Sequence, residues 1–379
     1  MENFTIIILI FGGLYCLLII AFFFAFKRSA SADFKLIKAK DKIYKHHTFS
    51  IIVAMRNESK NISNLISDIE KQEYLHSNFE LILVDDESND NSLYLAEKLL
   101  YDSTIPYKLL QSAGGKKNAL AKGINESKNE IILFTDADCR LYSKWVTSFN
   151  IKFSKSKLML ISGPVVFETS NTVLNNFFRL EFASLVASGA AAIEMGIPIM
   201  ANGANLAVRR ELIEDIGDRV YFSDIASGDD VFLMSEARKK NGFDCIGFLN
   251  HPNALVCTQS PKNIKAFINQ RIRWASKSKK YNDGNIIAIA FFIFVINLIL
   301  ATTFFLALFF GWEYFKIYFV LFFSKSLFDA ALLVIFNRQF SSNKLMIYLL
   351  PLQLIYPFYI ISIAILGQFM PFYWKGRRF

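Results

Sequence analysis

Ile131-Ile132-Leu133-Phe134-Thr135-Asp136-Ala137-Asp138 is an apolar run that ends in two carboxylates spaced i and i+2. The run reads as a buried strand, and on an extended segment residues two apart point the same way. Two hard oxygen donors on one face suit Mg²⁺ or Mn²⁺, with phosphate oxygens completing the coordination. A lone Asp-x-Asp is also an ordinary turn, and its position after a buried strand is what separates the two readings.

The same grammar recurs on either side. Leu81-Ile82-Leu83-Val84 runs into Asp85-Asp86-Glu87-Ser88, where a carboxylate can accept from a nucleobase or a ribose hydroxyl, or cap the helix that begins near Asn91. Gly114-Gly115-Lys116-Lys117 puts a flexible turn and two cations before a helix, which suits phosphate, although the spacing is not that of a P-loop. Gly228-Asp229-Asp230 opens a helical pattern through Val231, Phe232, Met234 and Ala237, as an N-cap or as a general base. Further on, Gln270-Arg271-Ile272-Arg273-Trp274 offers a guanidinium for a diphosphate and an indole for a sugar ring, or a pair of ordinary interface anchors.

Between these signals, strands are expected over Phe49–Ala54, Glu80–Val84, Glu130–Thr135 and Leu158–Phe167, and helices over Asn57–Gln72, Asn91–Tyr101 and Lys117–Ser127. Strand–helix alternation implies an α/β domain with a mostly parallel central sheet, whose ligands sit at the carboxyl ends of the strands. Hydrophobic residues make up 53% of the 379, with 39 phenylalanines gathered towards the two ends. Phe4–Phe26 is too long for a signal-peptide core, lacks a basic start and is followed by Lys27-Arg28, so it reads as a retained anchor. Ile286–Phe310, Phe315–Phe336 and Leu345–Phe369 are each long enough to span a bilayer. The expected division is a transmembrane anchor over 1–27, a catalytic domain over 48–259, an amphipathic interface helix over 260–285 and a transmembrane region over 286–379.

The formal charge of +9 is concentrated beside the apolar ends, with seven basic and two acidic residues between Lys27 and Lys45. That pattern marks a cytoplasmic membrane face and anionic lipid. Basic residues are not interleaved with aromatics as nucleic-acid binding requires, so no nucleic-acid partner is expected. Four widely spaced cysteines lack metal-ligand spacing and suit reduced thiols in the cytoplasm. A cytoplasmic domain after one span places the N-terminus outside. Three further spans then put Lys375, Arg377 and Arg378 outside as well, against the positive-inside tendency, unless Pro351 and Pro357 break the last helix. Within the apolar Phe315–Phe336 run, Lys325 and Asp329 stand i and i+4 apart, either lining a polar path or neutralising each other.

Taken together and in order, these motifs resemble glycosyltransferase family 2 in its membrane-integrated form, over roughly residues 50–280. The resemblance implies the GT-A nucleotide-sugar-binding fold with one N-terminal and about three C-terminal transmembrane helices. It implies a nucleotide pocket lined by the Ile52–Glu58 segment, with Ala54, Arg56 and Glu58, and by Asp86 flanked by Asp85. Lys116 or Lys117 falls near the diphosphate, Asp136 and Asp138 at the metal with Asp138 as the direct ligand, and Asp230 at the catalytic base. Asp229 stands where Glu is more frequent. Asn202–Asn205 resembles the acceptor segment, and Gln270, Arg273 and Trp274 match the Gln-x-x-Arg-Trp motif. The implied reaction is inverting transfer from a nucleotide-diphosphate sugar, with UDP as the family prior, at the cytoplasmic face of a bacterial inner membrane.

The acceptor divides two branches. Three spans after the catalytic domain are a thin wall for a polymer channel, and Trp374-Lys375-Gly376-Arg377 resembles the tail of lipid-acting members. A lipid or lipid-linked acceptor is therefore favoured over processive synthesis of the cellulose, chitin or hyaluronan kind, which would call on a homo-oligomer or a secretion partner. A non-catalytic scaffold that kept the fold is a third reading, and the presence of Asp136, Asp138 and Asp230 argues against it.

Overall fold

The computed structural model describes residues 2–39, 44–217, 229–277, 283–371, 373–374 and 377–378. Contacts divide the chain into a sheet unit (28–168 and 196–259) and a helical unit (1–27, 169–195 and 260–379). This division differs from the one expected: the catalytic stretch 48–259 is interrupted, because 169–195 clusters with the apolar helices.

Helix α1 (Glu2–Lys38) contributes its first part to the helical unit and its last turns to the sheet unit. In the sheet unit, Asp33 of those last turns is buried, accepting from Lys152 Nζ at 2.7 Å and from Asn250 N at 2.7 Å. The sheet unit then alternates β1 (Phe49–Met55), α2 (Ile62–Glu70), β2 (Phe79–Asp86), α3 (Ser92–Tyr101), β3 (Tyr107–Ser112), α4 (Lys116–Glu126) and β4 (Ile131–Phe134). After β5 (Arg140–Leu141), α5 (Trp145–Ser154), β6 (Leu160–Ser162) and β7 (Val165–Phe167), the chain enters α6 (Val173–Glu194) of the helical unit. It returns with β8 (Leu206–Arg209), α7 (Arg210–Ile216), α8 (Asp229–Asn241), β9 (Ile246–Phe248) and β10 (Val256–Thr258).

Seven strands form the main sheet in the order β3-β2-β1-β4-β8-β6-β9. The first four run parallel, β8 lies antiparallel to both β4 and β6, and β6 is parallel to β9. All seven residues of β1 are buried, as a central parallel strand covered on both faces requires. The expected single strand Leu158–Phe167 is two strands in two sheets, because Gly163-Pro164 interrupts the ladder. β6 stays in the main sheet, while β7 joins a small sheet ordered β5-β10-β7. Helix α2 starts at Ile62 rather than Asn57, since Asn57 has a left-handed φ of 55°.

The helical unit continues with α9 (Ile264–Ala275), α10 (Gly284–Phe310), α11 (Trp312–Phe340) and α12 (Leu349–Phe369), followed by the short antiparallel pair β11 (Tyr373–Trp374) and β12 (Arg377–Arg378). Among the described residues, four helical segments are long and apolar enough to cross a membrane: Thr5–Lys38, Gly284–Phe310, Trp312–Phe340 and Asn343–Phe369. Of the two alternatives left open at Pro351 and Pro357, a continuous or a broken last helix, the helix is continuous: α12 runs through both. Pro351 sits in the first turn, where no intrahelical N–H partner is needed, and Pro357 removes a single rung. Of the amphipathic stretch expected over 260–285, α9 is helical. Its Phe267 stacks on Phe178 of α6 at 4.2 Å, so this apolar face packs on protein. Residues 278–282 of that stretch, and Lys375-Gly376 of the tail, lie outside the described residues.

Lys325 and Asp329 meet as mutual neutralisation predicts. Lys325 Nζ donates to Asp329 Oδ2 at 2.7 Å and to Gln353 Oε1 at 2.8 Å. Asp329 also accepts from Gln353 Nε2 at 2.6 Å and from the Tyr15 hydroxyl at 2.6 Å. A buried pair in an apolar helix bundle needs this degree of satisfaction.

Candidate functional site

Because β1, β2 and β4 are parallel and adjacent, their carboxyl ends share one edge; Met55 pairs with Asp85, and Ile52 with Phe134. Ala54 pairs with Val84 just inside that edge. The motifs that follow these strands meet there.

Asp86, 2% exposed, accepts at Oδ1 from Gly115 N at 2.8 Å, and Arg56 Nη1 donates to its backbone carbonyl at 3.2 Å. Gly115 has φ 102°, a conformation that a side chain would strain, and this turn aims its N–H at Asp86. The next residue, Lys116, begins α4 and pairs with Asp136, while Lys117 follows on the same first turn. Arg56, Asp86, Lys116 and Asp136 are therefore joined through direct contacts and one shared loop. Asp85, on the opposite face of β2, differs. Its Oδ2 accepts from Ser88 N at 3.2 Å, but its Oδ1 is buried with no hydrogen-bond partner among the described residues. A buried carboxylate oxygen without a donor is costly, and a ligand N–H or O–H is one way to satisfy it.

The Asp-x-Asp differs from its extended reading. Strand β4 stops at Phe134, and a turn closed by Cys139 N donating to the Asp136 carbonyl at 3.1 Å carries Asp138. Asp138 Oδ2 accepts from Thr258 Oγ1 of β10 at 3.3 Å. The turn is pinned from behind, where Arg140 forks onto Asp68 of α2 at 2.7 and 3.0 Å and Leu141 N adds a third bond at 3.0 Å. Nothing in the sequence marks Thr258, which lies on a three-residue strand.

Asp230, in the first turn of α8, accepts from Gly203 N at 3.0 Å (Oδ2) and from Val231 N at 2.9 Å (Oδ1). Each oxygen keeps a second lone pair, so backbone orientation leaves acceptor capacity. Gly228 and the Asp229 side chain lie outside the described residues.

Two assigned residues are engaged by protein groups. Asn205 is fully buried: its Nδ2 donates to the Pro164 and Ala254 carbonyls, both at 2.8 Å, and its Oδ1 accepts from Trp145 Nε1 at 2.9 Å. With both amide hydrogens and the oxygen engaged, it ties β8 to neighbouring loops rather than touching an acceptor. The Glu58 carboxylate accepts from Asn61 Nδ2 at 2.7 Å, and its carbonyl accepts from Asn61 N and Ile62 N, so it organises the start of α2. Asp90, in the loop after β2, has the same kind of task. Burial alone would raise its pKa, but hydrogen bonds from Ser92 and Ser59 bring it down to about 2.

Gln270, Arg273 and Trp274 belong to α9 in the helical unit. Within that unit the intervening Arg271 is buried. Its Nε donates to Glu181 Oε1 at 3.0 Å, its Nη2 pairs with Glu181 Oε2, and its Nη1 donates to Gln270 Oε1 at 2.7 Å. The guanidinium lies 4.2 Å from the Trp274 ring centroid and 4.5 Å from that of Phe267.

Among the described residues, no three His, Cys, Asp or Glu side chains gather as a self-contained metal centre. The donor chemistry that exists, one or two hard carboxylates at a strand end, fits an Mg²⁺-like ion that completes its shell with substrate phosphates.

Residues 50–217 match the family model described as glycosyl transferase family 2. The chain carries a glycosyltransferase family 2 domain. Over 275 residues it is 23% identical to poly-beta-1,6-N-acetyl-D-glucosamine synthase of Staphylococcus epidermidis, covering 72% of this chain and 64% of that one. Over 195 residues it is 25% identical to glycosyltransferase AglE of Haloferax volcanii, covering 50% and 60%. The matches thus span somewhat under two thirds of either relative's length. In structure the chain is similar to mannosyltransferase PcManGT from Pyrobaculum calidifontis, solved with GDP-Man and Mn²⁺. The TM-score is 0.56 at 17% identity, over 95% of this chain and 99% of that one. The family 2 domain thus has the GT-A fold: four parallel strands, a reversed strand and the acidic loops at their carboxyl edge.

Proposed function

We propose that this chain is a membrane-embedded, metal-dependent, inverting glycosyltransferase that moves a sugar from a nucleotide-diphosphate sugar to a lipid or lipid-linked hydroxyl at the cytoplasmic face of a bacterial inner membrane. The observation that carries the reading is the shared strand edge where Asp86, held by Gly115 N, neighbours the Lys116–Asp136 pair. Asp85 and Asp86 are assigned to the nucleoside, with the buried Asp85 Oδ1 offered to a base or ribose donor. Arg56, Lys116 and Lys117 supply positive charge to the phosphates.

Asp138, with Asp136, would hold a divalent cation, which stabilises the charge gathering on the nucleoside diphosphate as its bond to the sugar breaks. Thr258 orients Asp138. Asp230, fixed by Gly203 N, takes the proton of the acceptor hydroxyl, whose oxygen attacks the anomeric carbon from the side opposite the leaving group. Gln270, Arg273 and Trp274 keep the diphosphate and acceptor roles that the resemblance implies.

Polymer synthesis is the second reading, favoured by the similarity to poly-beta-1,6-N-acetyl-D-glucosamine synthase. One experiment tests both. Detergent-solubilised protein is incubated with labelled UDP- and GDP-sugars, Mn²⁺ and membrane lipids, and the products are split into organic-soluble and polymeric fractions. Label in the organic phase supports a lipid acceptor, and label in the polymer supports a synthase. Label in neither, for every donor, overturns the enzymatic reading.

A further inference from the structure

The Gln-x-x-Arg-Trp motif leaves Arg271 unassigned, yet this is the residue through which two of the motif's side chains are held. Arg271, 3% exposed, places three N–H groups on protein acceptors, two on Glu181 and one on Gln270. Its guanidinium also lies within cation–π distance of Trp274. Glu181 comes from α6 and is itself 3% exposed. Its Oε1 takes a further hydrogen bond from the Tyr359 hydroxyl of α12 at 2.9 Å. Phe267 stacks between Phe178 of α6 and Tyr359, at 4.2 and 5.8 Å, so apolar rings border the ion pair. At Gly367 of α12 an added Cβ would come within 2.5 Å of the Ala275 Cβ, so α9 and α12 approach too closely there for any side chain.

A buried Arg–carboxylate pair adds little net stability compared with apolar residues of the same size, but it imposes one geometry, because a forked guanidinium has few ways to satisfy every N–H. Here that geometry reaches the motif directly, through Gln270 Oε1 and the Trp274 ring. Neither Glu181 nor Tyr359 belongs to any motif, and three helices contribute to one cluster.

We infer that Arg271, Glu181 and Tyr359 form a positioning clamp that fixes Gln270 and Trp274 for sugar transfer. The catalytic half of this inference rests on the function proposed above; the positional half does not. Two substitutions test it in the full-length, detergent-solubilised protein. Tyr359→Phe removes one hydroxyl, and Arg271→Lys keeps the charge while losing the fork.

The positional readout is acrylamide quenching of the Trp274 emission, obtained by subtracting the Trp274→Phe spectrum in each background. Both variants are expected to increase quenching. The catalytic readout is a split of kcat from donor KM, with kcat expected to fall ~10- to 100-fold at unchanged donor KM, as small misplacements of a reacting constellation do. Unchanged quenching in folded Tyr359→Phe overturns the clamp, even if Arg271→Lys fails to fold. Raised quenching with wild-type kcat removes its link to transfer. Raised quenching in a protein that transfers no sugar from any donor keeps the clamp and overturns the enzymatic reading instead.

Discussion

Among the described residues, Glu87 and Asn57 are the two non-glycine residues with positive φ, both 55°, and they occupy the loops that follow β2 and β1. Asn tolerates this region, and its Oδ1 is used there, accepting from Asn89 N at 2.9 Å. Glu87 reaches Arg56 Nη1 at 3.7 Å, a half-exposed ion pair of small worth, so relief of the positive φ in Glu87→Gly should raise the unfolding free energy by about 1 kcal/mol, read as a shift of the urea midpoint at constant m-value. The carboxylates call for kinetic tests. Asp230→Asn should lower kcat by ~10²–10⁴-fold while nucleotide-sugar affinity, measured by calorimetry, stays close to wild type. Full turnover would remove Asp230 from the role of base. Asp138→Asn should instead raise the Mn²⁺ concentration needed for half-maximal rate. At this scale the sequence was legible where a motif ends a strand, as at Asp86 and Asp136. It was silent about Thr258 and Glu181, whose partners lie 120 and 90 positions away. It misled at Asn205, where a polar residue in a plausible motif is a buried strut.

At the scale of elements, β1, β2 and β4 were readable because each is an apolar run ending in polar residues. The division between β6 and β7 was not, since seven of the ten residues of Leu158–Phe167 are apolar, four before Gly163-Pro164 and three after it, and which sheet each half joins is a tertiary choice. The reversal of β8 was also hidden, because four apolar-rich residues carry no record of strand direction. Helix α6 was read into the soluble stretch because its Asn175, Asn176, Arg179 and Glu181 lower its hydropathy, and the structure buries Asn176, Arg179 and Glu181. Elements also carry the acid sensitivity of the sheet unit. His47, just before β1, is buried with Nδ1 2.6 Å from Glu130 Oε2; burial lowers its pKa more than Glu130 raises it. A histidine whose folded pKa lies below its unfolded value lets the unfolded state bind more protons, so its contribution is complete above about pH 6.5 and is lost as pH falls below that. His251, shifted down mainly by burial, acts in the same sense. Thermal midpoints should therefore fall between about pH 6.5 and 5, and His47→Gln should flatten that slope.

For the molecule as a whole, length and hydropathy forecast four membrane-capable helices, and four are present among the described residues. What periodicity leaves open is which polar atoms those helices bury together. Lys325 and Asp329 of α11 draw in Gln353 of α12 and Tyr15 of α1, so a single cluster closes across three of the four. Asp329→Leu strands an ammonium in an apolar bundle and should cost about 3–5 kcal/mol, seen as a loss of folded, membrane-integrated protein. The double change Lys325→Leu with Asp329→Leu should recover most of that loss. In a mutational scan the two codons would then behave as a single locus: each alone intolerant of change, both together free to drift into hydrocarbon.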